Sequence, residues 1–164
     1  MGNFFNKRQR VASLFDDASL AMGFNEPTND GYKEVYDQLT PKEKELSIRH
    51  PYLALSIKEN MRKAFENTWF FEGETNGYGD AIRHCYWCAL NQIDAGLNSP
   101  LAKEFGDAHE SKPNNDSKEK AMDLHNNAVG YYLGNQAIIN NWSEQELLNN
   151  VINAAKNGKL QIGL

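Results

Sequence analysis

Apolar residues recur at three- and four-residue steps along most of this chain, which predicts amphipathic helices rather than strands. One stripe follows the proline at position 51 and consists of Leu53, Ile57, Met61, Ala64, Phe65 and Thr68. Another, near the end of the sequence, consists of Leu147, Leu148, Val151, Ile152 and Ala155. No run of alternating apolar and polar residues is long enough for a sheet. The pattern therefore predicts an all-α fold.

Caps and prolines mark where the helices begin and end. Thr40 is followed by a proline and then by Glu43, which predicts a capping box and a helix that starts at Thr40. The pair His50-Pro51 predicts an interruption, because proline disfavours helical geometry in the residue before it. A second capping box begins at Ser143. Further helices are expected at about residues 51–71, 81–95, 100–110, 117–134 and 144–157.

Two of these helices have distinctive starts. Asp80 is placed to cap the helix over 81–95, and Gly96 to stop it. Ser99-Pro100 repeats the cap-plus-proline start seen at position 40. Together the elements predict a compact multi-helix bundle of about six helices, with residues 40–164 as the helical core domain. Residues 1–39 are expected to form an N-terminal helix and a turn-rich lead-in.

Composition and charge narrow the function. A chain of 164 residues, 40% hydrophobic and 11% aromatic, can bury one core. The net charge of -5 disfavours general nucleic-acid binding, which needs clustered Lys and Arg. We expect a soluble protein without a signal peptide or transmembrane segment, either cytoplasmic or exported by a signal-less route. Cys85 and Cys88 are expected to be two small buried thiols rather than a redox or metal pair.

Polar residues gather on one side of the helix over 81–95. Asp80, His84, Trp87 and Asn91 project within about 60° of one another, and the rest of the helix is apolar nearly all round. A helix of this kind is surrounded by protein, so its polar stripe is expected to lie inside or to line a cleft.

The helices that follow carry similar groups. Asp123, Asn126 and Asn127 share one side of the helix over 117–134 with two glycines, which would let another backbone or a ligand come close. His109 and Glu110 lie together at the end of the preceding helix. Buried polar side chains need partners, so these residues form either a binding or catalytic site or a hydrogen-bond network that only fixes helix register, such as His84 bonded to Asp123.

Three blocks of residues resemble an uncharacterised bacterial all-helical domain family, some members of which occur in toxin-like exported proteins. The blocks are Asp80-Ala81-Ile82-Arg83-His84-x-x-Trp87-x-Ala89, then Ala108-His109-Glu110, then Met122-Asp123-Leu124-x-Asn126-Asn127-x-x-Gly130. This chain has Ile82 and Cys88 where the family pattern has Phe and Asn. The resemblance implies one shared constellation of Asp80, Arg83, His84, His109, Glu110, Asp123, Asn126 and Asn127, and it implies no particular reaction.

Our leading hypothesis is a small hydrolase, or an effector or toxin-type activity, that acts on a phosphodiester, a lipid or a cell-wall fragment. The predicted catalytic residues are His84, His109, Asp123 and Glu110. The predicted substrate-binding residues are Asp80, Arg83, Asn91, Asn126 and Asn127. The sequence identifies no cofactor; a divalent metal ion is one candidate, with His84, His109 and Asp123 as candidate ligands. The alternative is a non-enzymatic helical module that binds a small molecule or a protein and whose polar network is structural.

Overall fold

The computed structural model describes residues 39–71, 77–113 and 116–163. Within them the chain forms six α-helices and no strand. The helices are α1 (Pro41–Arg49), α2 (Pro51–Thr68), α3 (Tyr78–Ala95), α4 (Leu101–His109), α5 (Ser117–Asn140) and α6 (Glu144–Lys156). The predicted all-α bundle is confirmed. The expected N-terminal helix lies outside the described residues.

Several predicted helix ends are confirmed. Thr40 and Glu43 form a reciprocal capping box at the start of α1, and Ser143 forms one with Glu146 at the start of α6. The caps work because each side chain accepts a hydrogen bond from a backbone N–H that has no partner within the helix. Gly96 follows α3 with φ +98°, a left-handed conformation that favours glycine.

Two boundaries differ from the sequence prediction in ways that affect the polar stripes. The prediction that Asp80 caps α3 is wrong: the helix begins at Tyr78 after Gly77, so Asp80 lies in its first turn. There the carboxylate pairs with Arg83, one turn further on. Helix α5 continues to Asn140 instead of ending near residue 134, because Gly134 packs within the helix against α3.

Smaller differences occur at two other helices. Helix α2 ends at Thr68 rather than near residue 71, and the Thr68 hydroxyl donates to the carbonyl of Ala64 at 2.6 Å. The cap position of α4 is occupied by Pro100 rather than Ser99, although the Ser99 hydroxyl still accepts a long hydrogen bond, 3.4 Å, from the N–H of Leu101. Neither difference moves a predicted site residue.

Helix α3 is the centre of the bundle, and its most extensive partner is α5. The two backbones come close at Gly130 and Gly134: a Cβ at position 130 would lie 2.4 Å from the carbonyl oxygen of Cys85, and one at position 134 would lie 2.5 Å from that of Ala89. The sequence predicted that another backbone or a ligand would come close to these glycines, and in the structure it is the backbone of α3. This close packing brings the polar stripes of α3 and α5 together.

The two cysteines are free and fully buried on α3, as predicted. Burial raises the pKa of the Cys85 thiol to about 12, so it stays protonated and unreactive at neutral pH. The Cys88 thiol donates to the hydroxyl of Tyr131 at 3.5 Å. Within residues 39–71, 77–113 and 116–163, none of the helices has the length and hydrophobicity of a bilayer-spanning segment.

Candidate metal centre

Asp80, His84 and Asp123 converge where α3 meets α5. Asp80 and His84 are one turn apart on α3, and Asp123 approaches from α5. The Nε2 atom of His84 lies 3.8 Å from Oδ1 of Asp80 and 3.8 Å from Oδ1 of Asp123. Each of the three side chains offers one ligand atom, and these atoms all lie within 4.8 Å of one another.

This spacing is too long for direct hydrogen bonds, which join heavy atoms at about 2.7–3.2 Å. It suits groups that share an ion, because two atoms that each lie about 2.0–2.2 Å from one metal are roughly 3–4 Å apart. The hydrogen bond between His84 and Asp123 that a purely structural network would supply is therefore not formed. The triad is arranged around a common point rather than paired internally.

Burial makes this arrangement costly for Asp123. The residue is only 8% exposed, and its Oδ1 has no hydrogen-bond partner among the described residues. Burial raises the pKa of Asp123 to about 6, Glu110 and Asp80 add to the rise through their negative charge, and His84 opposes it. Asp123 therefore binds a proton more readily than an exposed aspartate does.

Glu110 lies on the other side of the His84 imidazole. Its Oε1 is 3.9 Å from the buried Nδ1 of His84, and the residue is 3% exposed. A histidine that binds a metal through one nitrogen commonly directs its other N–H to a carboxylate, which fixes the orientation of the ring. Glu110 is in place to do this once Nε2 faces an ion.

Arg83 brings a positive charge to the edge of the group. Its Nη1 lies 3.3 Å from Oδ1 of Asp80, and its guanidinium stacks over the ring of Phe65 at 4.5 Å. Both contacts hold the guanidinium in place, and the residue is only 9% exposed. The structure thus keeps Arg83 beside a carboxylate of the triad.

His109 is not a member of the three-ligand group and has a different partner. Its Nδ1 is 3.0 Å from Oε1 of Glu43, on α1, and its ring packs edge-on against Trp87 with centroids 5.3 Å apart. Burial alone would raise the pKa of Glu43, but the hydrogen bond and positive charge of His109, with hydrogen bonds from Thr40, lower it below its usual value. Glu43 therefore stays ionised beside His109.

The three asparagines have three different environments. Asn91 accepts from the amide of Asn60 at 3.1 Å, so it joins α3 to α2. Asn126 donates to the carbonyl of Gln161 and accepts from its N–H, both at 2.9 Å, so it holds the C-terminal segment. Asn127 is 1% exposed, and neither atom of its amide has a hydrogen-bond partner in the described part of the chain. Among the three, Asn127 keeps both amide atoms for a ligand, and Asn91 keeps its Nδ2.

The chain matches the family described as "Domain of unknown function (DUF6973)" over residues 44–159. It belongs to this family. The match covers α2 to α6 entirely and includes Asp80, His84, Glu110 and Asp123. No curated protein and no solved structure matches the chain.

Sequence reasoning missed the role of Glu43 in this domain. The capping-box pattern accounted for the residue fully, and one carboxylate oxygen does bond the Thr40 N–H at 2.7 Å. The other oxygen reaches His109, 66 positions away in sequence. No local pattern indicates such a contact, because it depends on how α1 docks against α4.

Proposed function

We propose that this domain binds a divalent cation through Asp80, His84 and Asp123 and uses it to hydrolyse a substrate. One observation carries the proposal: the Nε2 atom of His84 lies 3.8 Å from a carboxylate oxygen on each side and hydrogen-bonds to neither. A cation would fill the space between Nε2 of His84 and the two carboxylate oxygens, and it would give Oδ1 of Asp123 a partner.

The charges around His84 favour the same conclusion. The carboxylates of Asp80, Glu110 and Asp123 all lie within 4 Å of its imidazole. Arg83 offsets part of this negative charge at Asp80, and a divalent cation would compensate more of it in this mostly buried region. Two carboxylates and one imidazole are ligands that suit Mn²⁺, Fe²⁺ or Zn²⁺, and Mg²⁺ less well, because it prefers oxygen donors.

The site can be reached from solvent. The side chains of Asp80 and His84 are 15% and 20% exposed, so both are in contact with solvent. When bound, a divalent cation polarises the substrate and favours attack by water. In the proposed hydrolysis the oxygen of a water molecule bonds to the substrate centre and His109 accepts one proton of that water. The bond between the substrate centre and the leaving group breaks, and His109 returns the proton to the leaving group.

Metal binding is the first test. Protein stripped of metals with a chelator should bind Mn²⁺ or Zn²⁺ in isothermal titration calorimetry with a stoichiometry of about one, and the bound ion should raise the melting temperature. His84→Ala and Asp123→Asn should each abolish this binding. His125→Ala and Asp107→Asn are matched controls, because both residues are exposed or half-buried outside the triad, and they should bind normally. Equal binding by Asp123→Asn and the parent protein would overturn the proposal.

Turnover is the second test. The metal-loaded protein should release product from a probe of one substrate class: bis(4-nitrophenyl) phosphate for phosphodiesters, a 4-nitrophenyl acyl ester for lipids, or purified peptidoglycan for the cell wall. An effector-type enzyme should also slow the growth of its expression host, and Asp123→Asn should restore growth. Cation binding without turnover on any probe would favour the non-enzymatic binding module.

A further inference from the structure

We infer that Glu43 is a positioning residue that holds His109 with its proton on Nδ1, so that Nε2 is the atom that accepts a proton from water. The inference rests on the proposed hydrolysis for its purpose, but the tautomer it assigns to His109 does not require a bound cation. Its basis is the pairing of His109 with Glu43 across the contact between α1 and α4.

Glu43 uses both carboxylate oxygens, and each has a fixed partner. Oε2 accepts from the backbone N–H of Thr40 at 2.7 Å, and Oε1 lies 3.0 Å from Nδ1 of His109. The residue is 8% exposed, so water does not compete strongly for either oxygen. An ionised carboxylate can only accept hydrogen bonds, which requires that Nδ1 of His109 carry the proton.

The position of Glu43 is set by a second tie between the same two helices. The Thr40 hydroxyl accepts from the N–H of Glu43 at 3.1 Å and donates to the carbonyl of Ala108 at 3.0 Å. Ala108 immediately precedes His109, so the start of α1 is joined to the end of α4 at two adjacent residues. This double tie leaves the carboxylate little freedom to move away from the imidazole.

The opposite edge of the imidazole is available for chemistry. Nε2 of His109 makes no hydrogen bond with any described residue. It is also not one of the side-chain atoms that are both buried and without a partner. The Trp87 ring packs against the imidazole and restricts its rotation. With Nδ1 protonated, Nε2 presents a lone pair and can act as a base.

His109 is connected to the surroundings of His84 by two neighbours, Glu110 and Trp87. Glu110, the following residue, approaches His84 to 3.9 Å, and Trp87 is three residues after His84 on the same face of α3. His109 therefore packs against the same turn of α3 that carries His84, and the residue after it approaches the His84 imidazole. When Nε2 takes a proton, the ring becomes a cation that the ionised Glu43 stabilises, as carboxylate partners of catalytic histidines do.

The substitution Glu43→Gln tests the assignment with little change in shape. Glutamine has one carbonyl oxygen for two donors, the Thr40 N–H and the Nδ1–H of His109. If its oxygen stays on the Thr40 N–H and preserves the cap, its NH₂ group faces Nδ1 and can only donate, so His109 must move its proton to Nε2. Long-range ¹H–¹⁵N NMR spectra at pH 8 in the metal-free protein distinguish the two tautomers directly.

We expect the parent protein to show His109 protonated on Nδ1, and Glu43→Gln to shift His109 toward protonation on Nε2. Glu45→Gln, on the exposed face of α1, is the matched control and should leave the His109 signals unchanged. Observation of the Nε2–H tautomer in the parent protein, or of an unchanged tautomer in Glu43→Gln that is folded by circular dichroism, would overturn the inference.

The same variant separates this inference from the proposed function. Glu43→Gln should bind Mn²⁺ with the parent affinity but hydrolyse the responsive probe at least about tenfold more slowly in kcat, with KM little changed. Failure of the parent protein to bind a cation would refute the metal-dependent hydrolase and leave the tautomer result to decide the role of Glu43. Full kcat in Glu43→Gln would refute the positioning role alone.

Discussion

The imidazole of His84 approaches the carboxylate of Asp123 to 3.8 Å, and no hydrogen bond joins them. Both side chains are mostly buried, where a direct bond of about 2.8 Å would be the simplest way to satisfy them. The separation instead matches two groups that face a common third partner. This relationship is the basis of the proposed binding site, and the following predictions depend on it or on the packing that maintains it.

Cation binding should weaken in acid. Because the pKa of Asp123 is raised to about 6, its carboxyl is protonated below that pH, and a cation must displace the proton. The affinity for Mn²⁺ should therefore be nearly constant above pH 7 and should fall by about tenfold per pH unit below pH 6, if one proton is released. Calorimetric titrations between pH 5 and 8 measure this slope. An affinity that is independent of pH across this range would show that Asp123 is not a ligand.

Asp123→Asn should stabilise the metal-free protein at neutral pH while it destroys cation binding. A carboxyl whose pKa is raised on folding binds more protons in the native state, so its contribution to stability falls as pH rises from about 4 to about 6. The asparagine removes this loss. Urea denaturation with a chelator should show the variant more stable by on the order of 1–3 kcal/mol at pH 7.5 and nearly unchanged at pH 4.

Asp107→Asn is the control for that comparison, because Asp107 pairs with Lys103 on the exposed side of α4. Its stability should differ from the parent by less than about 0.5 kcal/mol at both pH values. A destabilised Asp123→Asn at pH 7.5 would mean that the carboxylate contributes native-state interactions that outweigh its burial.

Gly130→Ala should destabilise the fold and separate α3 from α5. The added Cβ would lie 2.4 Å from the carbonyl oxygen of Cys85, a backbone atom that cannot turn aside. Overpacking of this kind costs about 1–3 kcal/mol, measurable by urea denaturation. Tyr132→Ala, at a 61% exposed position of the same helix, should change stability little. Because Asp80 and Asp123 lie on opposite sides of this contact, Gly130→Ala should also weaken cation binding; unchanged affinity would contradict this account.

Asn126→Ala should loosen the C-terminal segment without affecting the metal centre. The substitution leaves the N–H and carbonyl of Gln161 without their shared partner, a loss of about 1–3 kcal/mol. Hydrogen exchange at the Gln161 amide should accelerate, and the affinity for Mn²⁺ should stay at the parent value. Asn150→Ala, on the exposed face of α6, is the control. If Asn126→Ala lost turnover while the Gln161 amide stayed protected from hydrogen exchange, the result would instead favour the substrate-binding role predicted for Asn126.

The sequence predicted the helices well because their signals are local. Capping boxes at Thr40 and Ser143, and the interruption at Pro51, act over three or four residues and reappear in the structure. It located the start of α3 less well, because Gly77 offers no side-chain cap and Asp80 imitates one. Local rules cannot tell an aspartate that caps a helix from one in its first turn that faces a neighbouring helix.

For the site, the sequence alone identified which residue types lie on the polar faces of α3, α4 and α5, since helical periodicity fixes the face of each residue. Only the tertiary structure decided their partners. It placed His84 with Asp80, Glu110 and Asp123, and it assigned Glu43 to His109 and Asn126 to the C-terminal segment. The reason is physical: a face is determined by about 100° of rotation per residue, whereas a contact between residues far apart in sequence depends on how whole helices pack.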